Sequence, residues 1–463
     1  MTRRSILLFA LALVPARAVA ATRSVRDFGA VGDGAADDTG SFQRAADEGP
    51  GSIRLPAGRY RLTKTVTLDL DRQGPLSIVG EGAATIIMDA PGPAFRLVGT
   101  HGGTADPPTV EENVWTRQRM PLVDGFEILG ANPSAIGLEF QGTMQATVTR
   151  VAVRRALHGI LLTGRNRNVI VSECHLYDNR GAGLLLEQVN LHQINVSNCH
   201  ISYNGGGGIV VRESEVRNLQ VGTCDIESNM DPDGPPAANI LIDVSKGTVR
   251  EGAVTGCTLQ HNHDSPGSAN IRFQGRVDQP IKIGYFSIAD NALSDVMINV
   301  HLAHVRGVSI TGNSFWKGFQ HDLLVEGSSN IVVGPNVFDR NPDYRPADSA
   351  NGIVFRDSAD CTLSGLHSNG SLAAKAAVLF ERCRRVNVTG ATVVNFRGAG
   401  VWFDRCRNSR LANSLIDSGQ ETGVAVKVTG GGDNAVASNS WAGVAEIEDG
   451  AALVANNLST DVP

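Results

Sequence analysis

After residue 20 the sequence has no long apolar run, few aromatic side chains (5%) and a formal net charge of only −6 over 463 residues. A membrane-spanning helix needs about 20 consecutive apolar residues, so none is expected beyond the N-terminus. Nucleic-acid binding needs a basic surface, which this charge does not favour. An acidic polysaccharide needs only a local basic patch, so such a partner stays open. The 52 glycines and many short Val/Ile/Leu triplets favour short strands joined by tight turns.

Residues 1–20 are interpreted as an export signal. Arg3 and Arg4 precede the apolar run Ile6 to Val14, and Ala18-Val19-Ala20 is a small-residue cleavage site. Nine or so apolar residues are too few to span about 30 Å of hydrocarbon. We expect a mature chain that begins near Ala21 and is secreted or periplasmic. The start of the sequence fits both a Sec and a twin-arginine signal, so the export route stays open.

A six-residue pattern recurs along the chain: a small or apolar residue, an apolar residue two positions later and Asn at the end. Its copies span residues 174–179, 199–204, 224–229, 257–262, 286–291 and 336–341. The first steps are 25 residues, and the step from Cys224 to Cys257 is 33. Repetition at this period is the signature of a solenoid.

A second, apolar pattern follows each copy. It occupies residues 184–187, 209–212, 240–243, 271–274, 298–301, 323–326, 353–356, 378–381 and 401–404. Alternation of period two predicts strands with one inward face, stacked in parallel about 4.8 Å apart. The sequence therefore predicts an all-β fold, a single-stranded right-handed parallel β-helix, as one domain over residues 21–463.

The repeated asparagines and the seven cysteines are both predicted to be structural. Each Asn tolerates a left-handed turn and can bond to its neighbour in the next coil, so we expect one Asn ladder. Cysteines at one position of successive coils would have parallel Cα–Cβ vectors, which disfavours disulfides. We expect all seven thiols to be free and buried, with Cys361, Cys383 and Cys406 at one shared coil position.

Two N-terminal motifs resemble the opening of the pectate-lyase-like superfamily. They are VRDFGAVGDGAADDTGSFQRAAD (residues 25–47) and SIRLPAGRY (residues 52–60). The resemblance implies the β-helix fold and covers only about the first 60 mature residues. Physically, residues 25–65 are expected to form a cap, with Asp38 or Thr39 capping a short helix that carries Phe42 over the open end. Asp37 and Asp38 are expected to be structural.

The catalytic motifs of the resembled group are not reproduced. The polygalacturonase set is absent in its order, and Leu157-His158-Gly159 is only a partial echo of it. The alginate-epimerase signature Tyr-Gly-Phe-Asp-Pro-His is echoed by residues 228–233, where Ser228 and Asp233 replace its Tyr and His. Epimerisation by that same mechanism is therefore not expected.

Candidate site residues come from the longest predicted loops and the strands that follow them. The loops span residues 229–236, 261–267 and 341–346, and such loops often carry function. We predict Asp231, Asp233, His263 and Asp264 as catalytic candidates. The outward strand positions give the predicted substrate-binding residues Arg272, Asp243, Gln274, Asn299, His301 and Glu326. The alternative is structural, since Asp and Asn before Pro or Gly are ordinary turn formers.

These residues favour an exported polysaccharide-active enzyme. Paired acids such as Asp231 and Asp233 suit a glycoside hydrolase of the polygalacturonase or rhamnogalacturonase type. The alternatives are a lyase or C5-epimerase on a uronate polymer, in which Arg272 or His301 acts, and a non-catalytic carbohydrate-binding β-helix. No cofactor is expected, unless a lyase holds Ca²⁺ between Asp231, Asp233 and Asp264. The expected partner is a polysaccharide or oligosaccharide and not nucleic acid, and a homotrimer is one assembly left open.

Overall fold

The computed structural model describes residues 23–49, 51–279, 282–344, 349–419 and 423–460. The proposed export signal, residues 1–20, lies outside these ranges. Within them the chain winds into stacked coils whose strands pair in parallel. Each coil contributes a strand to stack 1, turns into stack 2, turns again into stack 3, and returns through a loop to stack 1 of the next coil.

Stacks 1 and 2 together form a 29-stranded sheet in the described residues, and stack 3 forms a 17-stranded sheet. Two strands, His158–Ser172 and Leu184–Ser197, run through both stacks 1 and 2. The other strands of stack 1 are Val66–Asp69, Gly92–Val98, Ala135–Gln141, Ile209–Arg212, Ala238–Asp243, Ala269–Gln274, Val296–Ala303, Gly318–Glu326, Gly352–Arg356, Ala376–Glu381, Ala399–Asp404, Val424–Thr429 and Val444–Ile447.

The remaining strands complete the coils. Those of stack 2 are Ser52–Leu55, Ser77–Gly80, Leu122–Asp124, Thr147–Thr149, Glu215–Gly222, Thr248–Thr255, Ile283–Ala289, Arg306–Thr311, Ser329–Val333, Ala359–Ser364, Arg384–Thr389, Arg410–Ala412, Asn434–Ala437 and Ala452–Ala455. Those of stack 3 are Asp33–Asp37, Gly58–Leu62, Ala84–Met88, Glu127–Gly130, Ala152–Arg154, His175–Tyr177, His200–Ser202, Asp225–Glu227, Thr258–Gln260, Ala292–Leu293, Ser314–Phe315, Val337–Asp339, His367–Asn369, Thr392–Val394, Leu415–Asp417, Ser440–Ala442 and Leu458–Thr460.

One helix covers the N-terminal end of the solenoid, as the sequence predicts. It spans Thr39–Glu48 and buries Phe42 against Tyr60 and Phe95, with ring centroids 5.4 and 5.9 Å apart. Asp38 precedes the helix, but its carboxylate does not cap it and instead accepts from the backbone N–H groups of residues 31 and 32. The short helical turns are Val25–Phe28, Leu70–Gln73, Pro107–Thr109 and Val114–Gln118. No helix among the described residues is long and apolar enough to cross a membrane.

The core is a continuous column of Val, Ile, Leu and Phe from the inward strand positions. Aromatic rings stack between coils, as where the Phe380 ring lies 5.3 Å from Phe355 and 5.1 Å from Phe403. All seven cysteines are buried and free, which confirms that prediction. Their alignment needs one correction, because Cys361 lies within a stack 2 strand in register with Val386, whereas Cys383 and Cys406 lie in the turn before stack 2.

The asparagines form two buried ladders and not one. The first runs between coils through Asn179, Asn204, Asn229, Asn239, Asn270 and Asn299 and ends at Asp322. The second runs through Asn291, Asn313 and Asn336 at a different corner. The prediction that Asn262 and Asn291 continue the first ladder is wrong, because Asn239, at the start of a stack 1 strand, takes over after the long loop. The ladders satisfy backbone groups that the turns leave unpaired.

Candidate functional site

The outer face of stack 1 carries one column of side chains in register along the axis. Most of the column is apolar: Leu161, Leu185, Val210, Leu241, then Leu324, Val354, Leu379 and Trp402. Arg272 and His301, which are each other's register partners, lie between these two apolar runs. The column is polar again towards its ends, at Arg96 and Glu139 and at Lys427 and Glu446. A cation and an imidazole at positions that are apolar in the neighbouring coils mark these two coils as a candidate site.

Arg272 is held in place by the loop that precedes its strand. Its Nη2 donates to the carbonyl of Gly267, and its Nε donates to His301 Nδ1 at 3.4 Å. Because a guanidinium only donates, His301 Nδ1 must be the acceptor and its proton must sit on Nε2. Burial lowers the pKa of Arg272 from its usual value.

Glu326, from the next coil, holds the other side of the imidazole. His301 Nε2 donates to Glu326 Oε2 at 3.0 Å. Burial lowers the pKa of His301, and the nearby Arg272 lowers it further, while the hydrogen bond to Glu326 raises it. The net effect favours the neutral imidazole, whose proton and lone pair then point in fixed directions.

The ion-pair chain continues over two more coils. Arg356 Nη1 donates to Glu326 Oε1 at 3.3 Å, and Arg356 Nε donates to Glu381 Oε2 at 2.5 Å. Burial alone would raise the pKa of Glu326, but the hydrogen bonds from His301 and Arg356 hold this pKa below its ordinary value. Glu326 is therefore an ionised carboxylate at neutral pH. The whole chain Arg272–His301–Glu326–Arg356–Glu381 is here named the polar chain.

A cavity of about 300 Å³ adjoins the polar chain on the same face. Its lining combines Arg356 and Glu381 with the apolar Val354 and Leu379 and with His321. Burial lowers the pKa of His321 to about 4, so this imidazole is neutral. An apolar floor with a few fixed polar groups suits a sugar ring, whose faces are apolar and whose edges carry hydroxyls.

The four predicted loop residues make their contacts outside the polar chain. Asp231, Asp233 and Asp264 are exposed, and Asp231 Oδ1 accepts from the Asp233 backbone N–H, which is an ordinary turn contact. His263 stacks on Phe319 with ring centroids 4.0 Å apart. In the described part of the chain no hydrogen bond or ion pair joins these four residues to Arg272 or His301.

Asp231 instead lines a separate depression of about 360 Å³ beside Arg180 and Tyr203. A larger depression, of about 600 Å³, lies on another face of the solenoid beside Arg150 and His175. Neither contains a member of the polar chain. We therefore place the candidate site at the polar chain, where hydrogen bonds and ion pairs fix five side chains against one another.

The six predicted substrate-binding residues fall into three structural positions. Arg272, His301 and Glu326 are joined by hydrogen bonds, while Asp243 and Gln274 are register partners on the same face. Asn299 is a correction, because it is fully buried and donates to Asp322 and to the carbonyl of Trp316. The sequence alignment was shifted by two residues here, since Arg272 pairs with His301 and Asn270 occupies the position beside Asn299.

Sequence reasoning missed Arg356, Glu381 and His321. The signal for the first two was present, since they occupy the same strand position as Glu326 in the next two coils. His321 offered no such signal, because its strand contains a register irregularity between His321 and Leu323. Only the folded strand shows that this imidazole lines the cavity.

No group of three or more His, Cys, Asp or Glu side chains among residues 23–49, 51–279, 282–344, 349–419 and 423–460 could hold a metal ion. Asp231, Asp233 and Asp264 therefore do not form the three-carboxylate calcium site considered above within the described structure.

Two family models match the sequence. One, described as a right handed beta helix region, matches residues 130–263. The chain is a right-handed parallel β-helix. The second model, described as the periplasmic copper-binding protein (NosD), matches residues 253–461 of this β-helix.

Short and distant likenesses to named proteins accompany these matches. Mannuronan C5-epimerases AlgE3 and AlgE5 of Azotobacter vinelandii are 52% and 50% identical over 44 residues, which is 9% of this chain. The match spans only 2% and 4% of their own lengths. Among solved structures, tailspike protein 3 of bacteriophage CBA120 has a TM-score of 0.48 at 14% identity, covering 95% of this chain and 62% of that one. The A-module of Azotobacter vinelandii AlgE4 has a TM-score of 0.42 at 16% identity, covering 95% and 100%.

The cysteines of this β-helix do not form a copper site. Copper in proteins is bound by thiolate, thioether or imidazole ligands gathered at one point. Here the cysteines are buried, and their Sγ atoms donate to backbone carbonyls such as those of Ser172 and Ser197.

Proposed function

We propose that the protein acts on a uronate-containing polysaccharide by abstracting the C5 proton of a uronate at the polar chain. The observation that supports this most is the fixed trio of Arg272, neutral His301 and ionised Glu326, in which Arg272 and His301 lie between apolar positions of the neighbouring coils. The C5 proton of a uronate lies next to its carboxylate, so its removal needs a base and a cation within reach of the same sugar.

The three side chains would divide the work. Arg272 would turn from His301 to pair with the sugar carboxylate, for which a planar guanidinium is well suited. This movement would free the Nδ1 lone pair of His301 to accept the proton. Glu326 already binds Nε2, so it would orient the ring and stabilise the imidazolium that forms. After proton removal, departure of the glycosidic oxygen from C4 would complete an elimination. Return of a proton to the opposite face of C5 would complete an epimerisation.

Hydrolysis, which the sequence alone favoured, has less support from this geometry. An inverting or retaining hydrolase needs one carboxyl group that is protonated and can act as an acid. Glu326 and Glu381 both pair with Arg356, and the pKa of Glu326 is held low. Asp231 and Asp233 are exposed turn residues. The short likeness to mannuronan C5-epimerases agrees with chemistry on a uronate, although it spans only 44 residues.

A localisation outside the cytoplasm fits this proposal. The C-terminal half of the chain matches a family described as periplasmic, and the sequence begins with a predicted export signal. We propose that the protein meets its polysaccharide in the periplasm or outside the cell.

The test compares polymers and variants. Purified protein is incubated with polymannuronate, polygalacturonate and a neutral glucan, and products are followed by ultraviolet absorbance of unsaturated ends and by NMR of the uronate units. Activity is expected on one uronate polymer only. His301→Ala should lower kcat by about 10²–10⁴, and Arg272→Gln should raise KM and lower kcat together.

His367→Ala is the matched control, because His367 is an exposed histidine of stack 3, away from the site. It should keep full activity. Activity on the uronate polymer that survives in both His301→Ala and Arg272→Gln would move the site elsewhere. New reducing ends without unsaturation or inversion would show a hydrolase and overturn the proposal.

A further inference from the structure

A second groove lies on the outer face of stack 2, around the corner from the polar chain and several coils closer to the N-terminus. Its volume is about 380 Å³. Five amide side chains line it: Asn168, Gln193, Asn195, Asn218 and Gln220. Ile170, which is 40% exposed, adds an apolar contact surface. We call it the amide groove.

The amides are arranged in two columns across three consecutive coils. Ile170, Asn195 and Gln220 are register partners along the outer face. Asn168, Gln193 and Asn218 occupy the position two residues earlier in each coil, all with left-handed φ values of 53°, 67° and 58°. Coils are about 4.8 Å apart, so the groove presents amide groups at that spacing along the axis.

The amides have hydrogen-bonding capacity that the protein does not use. In the described structure, the side-chain bond these five make is a long one of 3.5 Å between Asn218 Nδ2 and His192 Nε2. The Asn168 Oδ1 atom is buried and lacks a partner among the described residues. That oxygen is closed to a ligand, whereas the side chains of Asn195 and Gln220 are exposed and open to one.

The chemistry of the groove selects a neutral ligand. Amides donate and accept equally, which matches hydroxyl groups. Two nearby cations are engaged elsewhere: Arg167 Nη1 donates to the Thr104 carbonyl, and Arg217 donates to the Val216 carbonyl and to Glu215. The groove is a sheet face and not a sheet edge, so it offers no unpaired strand for a peptide to extend.

We propose that the amide groove binds a neutral, hydroxyl-rich stretch of glycan, at a site separate from the polar chain. The hydroxyls would bond to the exposed amides of Asn195 and Gln220, while a sugar face packs on Ile170. The two sites lie on different faces, so the groove would anchor polysaccharide without taking part in the reaction.

Isothermal titration calorimetry of the whole protein with maltohexaose, cellohexaose and mannohexaose tests this. The test variant is Asn195→Ala combined with Gln220→Ala, both exposed positions whose loss leaves the fold intact. The matched control is Thr362→Ala, which belongs to the same outward column further along the axis. Melting temperatures of all variants are compared with that of the wild type.

We expect at least one hexaose to bind the wild type, and the double variant to weaken its Kd by at least about tenfold. Thr362→Ala and His301→Ala should bind as the wild type does, because neither residue touches the groove. Failure of all three hexaoses to bind the wild type, or unchanged binding by the double variant, would overturn the inference. Neither result bears on turnover of a uronate polymer, so the two proposals fail independently.

Discussion

Replacement of Asn204 by alanine should destabilise the solenoid strongly, because this residue is a central rung of the first Asn ladder. Asn204 is fully buried, and its side chain makes four hydrogen bonds. Its oxygen accepts from the backbone and side-chain nitrogens of Asn179, at 3.2 and 2.9 Å. Its nitrogen donates to the Leu176 carbonyl at 2.9 Å and to Asn229 Oδ1 at 2.7 Å.

The magnitude follows from the partners that alanine leaves behind. A buried group that loses its partner costs about 1–3 kcal/mol, and neighbouring losses in one network do not add fully. The Asn179 backbone N–H loses the oxygen that accepts from it, and the Leu176 carbonyl loses the Asn204 amide donor. The Asn179 side-chain nitrogen keeps its bond to the Val153 carbonyl. We expect the free energy of unfolding to fall by about 2–5 kcal/mol.

Urea denaturation followed by circular dichroism measures this change. Asn195→Ala is the matched control, since Asn195 is an exposed amide in the same coil as Asn204. This substitution should lower the free energy of unfolding by less than about 0.5 kcal/mol. If Asn204→Ala also falls within about 0.5 kcal/mol of the wild type, the ladder does not stabilise the fold and the reasoning is wrong.

Two further predictions concern pH. If His301 is the base, the acid limb of the kcat/KM profile should lie below the ordinary histidine pKa of about 6.5, because burial lowers the pKa of His301. Glu326→Gln should move this limb to still lower pH, because the hydrogen bond to Glu326 raises the pKa of His301. An acid limb above pH 6.5 would contradict the assignment. His158 accepts from the Ala182 backbone N–H at 3.0 Å, and burial lowers its pKa to about 4. Its folded pKa lies below its unfolded pKa, so its stabilising contribution is complete above pH 6.5 and is lost as the pH falls towards 4. His158→Gln should therefore lose about 1–2 kcal/mol less between pH 7.5 and pH 4.5 in urea denaturation, and equal losses in both proteins would contradict the assignment.

Most of the correct predictions about the fold came from the repeat in the sequence. Period-two strands, buried cysteines and the capping helix with Phe42 follow from local pattern and from the need to cover an open solenoid end. Arg272, His301 and Glu326 could be found because outward positions of adjacent strands must share a face.

Register was the part that local pattern could not provide. Loops of unequal length separate the coils, so matching each coil by its nearest Asn placed Asn299 outward and Asn291 in the wrong ladder. Only hydrogen bonding between coils shows that Asn239 replaces Asn262 after the long loop and that Asn299 is a buried rung. The loop acids were predicted as catalytic because they are charged and lie in the longest loops. Ordinary turns also contain Asp and Asn, so these two features do not distinguish a functional site from a turn.

The central claim is that His301 removes the C5 proton of a uronate, and solvent deuterium exchange tests it most directly. A uronate polymer is incubated with the protein in D₂O, and its C5 position is followed by NMR. The account predicts that C5 loses its proton, with deuterium appearing in an inverted sugar or unsaturation appearing at a cleaved linkage, and that His301→Ala abolishes both. Intact C5 protons in a polymer that the wild-type protein has nevertheless cleaved would contradict the account.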